Sequence, residues 1–208
     1  MKKNKKIMMG IILALILVAV LFIILKPKYE LNKAVKYLKY GNYKEAYEYV
    51  QSKNNEENKV IIKELITEIF FYRAGNGIEK VGNIVSQCTN VVKNVNLDNI
   101  DYSLDDNINI EVKSLDTYID LEKDITKDMI DEEAKESYDL YFSVIKYVHS
   151  NFEDVLNHIF DEEYRNKVSS LTSDMTKLAN YCYSYSDNHK YNPKTQDIYK
   201  QISKYITK

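Results

Sequence analysis

The hydrophobic positions of this chain follow two different patterns. From Ile7 to Leu25 the sequence IMMGIILALILVAVLFIIL carries no charge and no strong polar group. Nineteen helical residues at ~1.5 Å each reach ~28 Å, about the hydrocarbon thickness of a bilayer. A core helix shows an apolar stripe, whereas this run is apolar all round. Lipid offers no partner to backbone polar groups, so only a helix fits. A transmembrane helix is expected over 7–25, giving way near Pro27 to a second helix over 29–40.

Beyond the run, apolar residues return at spacings of three and four. Ile61, Ile62, Leu65, Ile66, Ile69 and Phe70 form one amphipathic stretch. Ile78, Val81, Val85, Cys88, Val92 and Val95 form another. The series from Tyr138 through Tyr141, Ile145, Val148, Phe152 and Val155 to Ile159 repeats the spacing. So does the series from Tyr164 through Val168, Leu171, Met175, Leu178 and Cys182 to Tyr185. Such spacing puts a seam on one side of each helix, as bundle packing requires. Asn192-Pro193 reads as the cap and first turn of a last helix, with Ile198, Ile202 and Tyr205 as its buried side. The expected fold is all-α, an antiparallel helical bundle or αα-hairpin array behind a membrane helix. Its expected segments are a basic tail (1–6), the anchor (7–25), helical hairpins (26–95), an acidic linker (96–125) and a bundle (126–208). Alternation around Asp105-Asp106-Asn107 also allows a small β-hairpin near 100–112.

Gly41-Asn42-Tyr43-Lys44-Glu45-Ala46, with Tyr37 before it, resembles the turn and second helix of a tetratricopeptide repeat. In that resemblance Tyr37 matches the aromatic of the first helix, Gly41 the turn, and Tyr43 and Ala46 the second-helix start. Thirty-four residues on, Gly75-Asn76 repeats the turn at the family's period. Gly77 and Lys80 replace the expected Tyr and Ala there. Glu30 and Lys33 replace the early aromatic and Leu, and the closing Pro is missing. The resemblance covers about 28–86 and implies helical hairpins that bind peptides or partner helices. A generic αα-hairpin accounts for the same residues.

The start Met1-Lys2-Lys3-Asn4-Lys5-Lys6 suits a retained anchor. The run exceeds the length of a signal h-region, and no small-residue cleavage site follows it. No cysteine lies nearby for lipidation. A pilin-type leader after Gly10 would place Glu where Leu15 stands. The flanking lysines favour a cytoplasmic N-terminus and an extracytoplasmic C-terminal domain at the cell membrane.

Charge is unevenly spread. Residues 26–95 carry 12 basic and 8 acidic groups, 96–139 carry 4 and 15, and 140–208 carry 9 and 8. A basic stem suits anionic headgroups. The acidic body speaks against nucleic-acid binding. With 5 Gly and 2 Pro the body is no many-turned β protein. Its 19 Tyr, and its wealth of Lys, Asn and Ile, suggest an AT-rich bacterial genome.

Candidate chemistry is sparse. His149 and His158 stand nine residues apart, on opposite sides of one helix, and cannot share an ion. His149 reads as a hydrogen-bonded structural residue, and His158 as part of a solvated row with Asp154 and Glu162. Asp105, Asn107, Asn109, Glu111 and Asp116 echo a calcium loop, but Ile110 occupies the position that needs Gly. Gly77 to Gly82 mimics a phosphate loop without its Lys-Ser/Thr. No catalytic, metal or cofactor residue is therefore assigned. Cys88 and Cys182 both fall on seams, as buried thiols or, outside the cytoplasm, as a disulfide pair. The expected function is a membrane-anchored module for protein interaction, with Tyr37, Tyr40, Tyr43 and Tyr47 as its candidate partner surface. A small-ligand or sensory helical domain is the alternative, and an enzyme of unrecognised type comes third.

Overall fold

The computed structural model describes residues 2–94, 112–157 and 162–206, with side chains for 12–85, 112–151 and most of 166–206. All regular structure among them is helical. In order come α1 (Lys2–Lys39), α2 (Tyr43–Gln51), α3 (Glu56–Asn94), short α4 (Asp116–Ile119) and α5 (Leu121–Asp124), then α6 (Lys135–Asn157), α7 (Glu162–Asn188) and α8 (Pro193–Ile206). Two single 3₁₀ turns, Lys127–Met129 and Glu132–Ala134, precede α6. The β-hairpin expected near 100–112 lies outside the described residues, save Val112, which opens a helical turn.

Two compact units emerge. Unit one comprises residues 1–63 and 192–208, and unit two residues 64–191. These boundaries differ from the expected 26–95 and 126–208 segments. α8 belongs with the N-terminal helices, and the division falls inside α3.

Within unit one, α1 is a single helix where two were expected. It is long and apolar enough to cross a membrane, and its apolar stretch is bare. Pro27 sits inside it and removes one backbone donor. The helix nevertheless continues, and beyond Pro27 it turns amphipathic, burying Glu30, Leu31, Ala34 and Leu38. The carbonyl of Pro27 accepts a hydrogen bond from Asn58 Nδ2 of α3 at 2.9 Å. Gly41 then turns the chain with φ +76°, a conformation that disfavours any side chain. This lets Tyr43, Ala46 and Val50 of α2 face the buried side of α1.

α8 starts as its sequence implies, with Asn192 Oδ1 accepting the Lys194 N–H at 3.0 Å. Its buried residues are Thr195, Ile202 and Ile206. Tyr205, expected inside, is 48% exposed, and the ammonium groups of Lys39 and Lys204 lie over its ring. Ile206 takes the inner place because 195, 202 and 206 share a face that 205 does not.

In unit two, α3 passes straight through Gly75-Asn76, so the second turn anticipated by the repeat spacing does not form. The same helix absorbs Gly77 to Gly82, which therefore makes no loop for phosphate. Gly75 and Gly77 would each weaken a helix by ~1 kcal/mol relative to alanine. Packing explains one of them. A Cβ on Gly77 would stand 2.5 Å from the Tyr141 hydroxyl and 3.1 Å from both Ile145 and Tyr118. Tyr141 is fully buried and cannot swing away. Gly75 has nothing within 4 Å of the same position. The core centres on Phe70, whose ring lies 5.1–6.2 Å from those of Phe71, Tyr138, Tyr141 and Phe142. α6 and α7 lie side by side. Residues that the spacing marks are buried, Tyr138, Tyr141, Ile145 and Val148 on one and Met175, Leu178 and Tyr185 on the other. Tyr138 and Tyr141 meet Phe70 of α3, and Tyr185 meets Phe71 of the same helix.

The two glycines should respond with opposite signs. Gly75→Ala should stabilise the protein by about 0.5–1 kcal/mol through helix propensity. Gly77→Ala should destabilise it by about 1–3 kcal/mol through overpacking. Urea titration followed by circular dichroism compares them, and equal shifts would contradict the packing account.

Candidate functional site

Polar and aromatic side chains from three parts of unit two gather where α7 ends. Tyr181, Tyr185 and His189 follow one another at intervals of four, on one face of the helix and the turn after it. Phe71 of α3 packs against Tyr181 and Tyr185, at 5.5 and 4.6 Å between ring centres. The Tyr185 and His189 rings stack at 4.9 Å, and Tyr191 meets the imidazole edge-on at 4.6 Å.

The polar partners come from α3 and from the 3₁₀ segment. The Tyr185 hydroxyl donates to Asp131 Oδ2 at 2.9 Å, and the Tyr181 hydroxyl to the Glu133 carbonyl at 2.7 Å. The Asp131 N–H donates to Thr67 Oγ1 at 2.9 Å. His189 lies between two carboxylates, with Nε2 3.7 Å from Glu64 and Nδ1 3.4 Å from Glu133. Glu64 is buried at 5% exposure, whereas Glu133 is open to solvent. Burial and the neighbouring Asp131 push the Tyr185 phenol far above its ordinary range. Burial does the same to Tyr138, whose hydroxyl donates to the Ile125 carbonyl at 2.9 Å.

Acid, base and aromatic groups thus meet here, and what they do is fasten. The contacts between elements tie the end of α7 to α3 and to the segment before α6, and that segment to α3. A groove lies elsewhere in the same unit. It measures about 440 Å³ between α6 and α7 and has Leu140, Val144 and Leu171 as apolar lining, with Tyr147, Lys167 and Asp174 among its polar residues. None of the residues clustered around His189 lines it.

The residues singled out from sequence are scattered. Tyr40 is 72% exposed, but Tyr43 is buried and Tyr37 and Tyr47 are half-buried. Tyr43 therefore serves the α1–α2 packing and presents no surface. Tyr37 meets Tyr49 edge-on at 6.1 Å, and the ammonium groups of Lys33 and Lys53 approach the Tyr49 ring to 4.7 and 4.8 Å. His149 Nε2 pairs with Asp116 Oδ1 at 2.9 Å, giving it a structural partner. That bond engages the last position of the calcium-loop echo, while Asp105, Asn107, Asn109 and Glu111 lie outside the described residues. His158 and the side chains of Cys88 and Cys182 also lie outside them. Among the described residues no group of three His, Cys, Asp or Glu is placed to hold a metal.

His189 was missed in the sequence because it stands beyond the last apolar seam residue. Its signal was the four-residue step from Tyr185, an aromatic position continuing a buried line. No family model, curated protein or solved structure matches the chain.

The two buried phenols carry a pH signature. An unfolded tyrosine ionises near pH 10, while the folded ones hold their protons. Their stabilising contribution is complete below about pH 10 and declines as pH rises further. Tyr138→Phe with Tyr185→Phe should cost about 1–2 kcal/mol at pH 7 through two lost hydrogen bonds. The same pair should flatten the alkaline decline measured by denaturant unfolding between neutral and alkaline pH. An unchanged alkaline slope would contradict the burial of these hydroxyls.

Proposed function

We propose that this chain is a single-pass membrane protein whose helical units are presented outside the cytoplasm to a protein partner. The observation that supports it most is the division of α1. Its most apolar stretch is bare, while its less apolar second half buries one side in unit one. A soluble chain gains by burying its most apolar surface first, and bilayer insertion resolves the inversion. Lysines before Ile7 favour keeping that end in the cytoplasm.

The repeat resemblance, confined to the α1–α2 hairpin, supports partner binding over chemistry. Tyr40, with the half-buried Tyr47, is the portion of the tyrosine set left for contact. Unit two is strongly acidic in composition, with 12 basic and 25 acidic residues over 64–191. A partner with a basic face would be steered to it. A second reading has one observation in its favour, since the α6–α7 groove falls in the size range of small-molecule sites.

Protease added to intact cells should remove an epitope placed after Lys208 and spare one placed before Met1. Protection of the C-terminal epitope until lysis would reverse the topology. In-cell crosslinking should then yield a partner whose capture falls several-fold in Tyr40→Ala with Tyr47→Ala. Undiminished capture would remove the α1–α2 surface as the interface.

A further inference from the structure

Unit one beyond the apolar run, residues 26–63 and 192–208, holds 13 basic and 6 acidic residues, the reverse of unit two. Several of its acids are withdrawn from the surface field. Glu30 is buried. Glu56 pairs with Lys59 at 2.7 Å, and Glu57 with Lys194 at 2.8 Å. The Lys194 ammonium bonded to it holds the Glu57 carboxyl below its ordinary range.

The cations are arranged differently. On α1 the buried residues Glu30, Leu31, Ala34 and Leu38 occupy one side. At ~100° per residue, Lys26, Lys28, Lys33, Lys36 and Lys39 fall on the remaining arc. Glu30 is the one acid between Lys26 and Lys44, so the outer face of this stem is purely cationic. Lys53, from the turn after α2, shares the Tyr49 ring with Lys33. α8 returns Lys200 and Lys204 to the same unit.

Position relative to the bilayer follows from helix continuity. α1 enters unit one without a linker, so Lys26 and Lys28 stand at headgroup depth, and Lys36 only ~15 Å further along the axis. That is within a headgroup layer plus one Debye length at physiological salt. Exposed Tyr29 at the same boundary suits the aromatic belt.

We propose that the basic face of unit one, carried by Lys28, Lys33, Lys36 and Lys53, binds the anionic phospholipid headgroups of the bilayer that holds α1. The inference rests on the anchored reading above. It adds that this unit lies against the lipid and does not stand clear of it.

The test uses the full chain in nanodiscs of phosphatidylcholine alone and of phosphatidylcholine with phosphatidylglycerol in equal parts. Lysine acylation is mapped by mass spectrometry in each. The four lysines should react about fivefold more slowly with phosphatidylglycerol present. Lys123 and Lys177 of unit two should keep their rates, and about 1 M salt should abolish the difference. Equal rates in both discs, or protection that survives salt, would overturn the headgroup assignment while leaving the anchor intact. Failure to enter either disc would overturn the anchor and with it this inference. Slowing by a dissolved glycerol phosphate polymer beside neutral discs, with none from phosphatidylglycerol, would reassign the face to soluble polyanions and overturn the lipid assignment.

Discussion

The buried stripe of α3 is the constraint on which the rest of the structure depends. From Ile61 to Ile84 it presents an almost unbroken series of buried apolar residues, including Leu65, Ile66, Ile69, Phe70, Ala74, Ile78 and Val81. A 39-residue helix that is amphipathic over most of its length is held by packing more than by intrinsic propensity. Its first turns supply Asn58, Ile61 and Ile62 to unit one. Its middle supplies Phe70 to the aromatic core of unit two. Because one helix serves both, a break at Gly75 would separate Phe70 from the stripe below it. Tyr141 pressing on Gly77 keeps that stretch closely packed.

Polar groups do a second kind of work. Four hydrogen bonds join elements distant in the sequence or separated by irregular chain. Asn58 meets the Pro27 carbonyl, Thr67 meets the backbone of Asp131, Tyr138 meets Ile125, and Tyr185 meets the Asp131 carboxylate. Each polar side chain meets a segment with no regular ladder of its own, or a helix that carries a proline. A buried group that loses its partner costs more than a made bond gains, so such contacts select one arrangement of segments more than they add to stability.

Much of the fold was legible because helices declare themselves by period. The seams of α6 and α7, the cap of α8 and the turn at Gly41 all follow from local residue chemistry. The failures share a cause. Pro27, Gly75 and Gly77 read locally as interruptions, yet each lies inside a helix because a distant residue, Asn58 or Tyr141, or the stripe as a whole decides its state. Tyr205 gave up its inner place to Ile206, since a four-residue step from Ile202 competes with a three-residue one and only the packing partner chooses. The His189 cluster was hidden for a similar reason. Its members come from positions 64 to 191, and nothing in their spacing shows that they meet. The tyrosines of the first hairpin were visible as a set, but sequence could not divide the buried Tyr43 from the open Tyr40.

The unbroken passage of α1 into unit one has a geometric consequence. With no slack between the apolar run and the first buried residue, the azimuth of unit one about the helix axis is locked to that of the apolar run. One residue added between Leu25 and Leu31 would turn the unit by ~100° and raise it by ~1.5 Å, whereas seven added residues would nearly restore its bearing. For an anchored chain, the face turned to a bilayer would be a matter of phase as well as charge. Lengthening this junction would behave like the teeth of a gear, periodic in the number of residues, where a flexible tether would show only a gradual change with length.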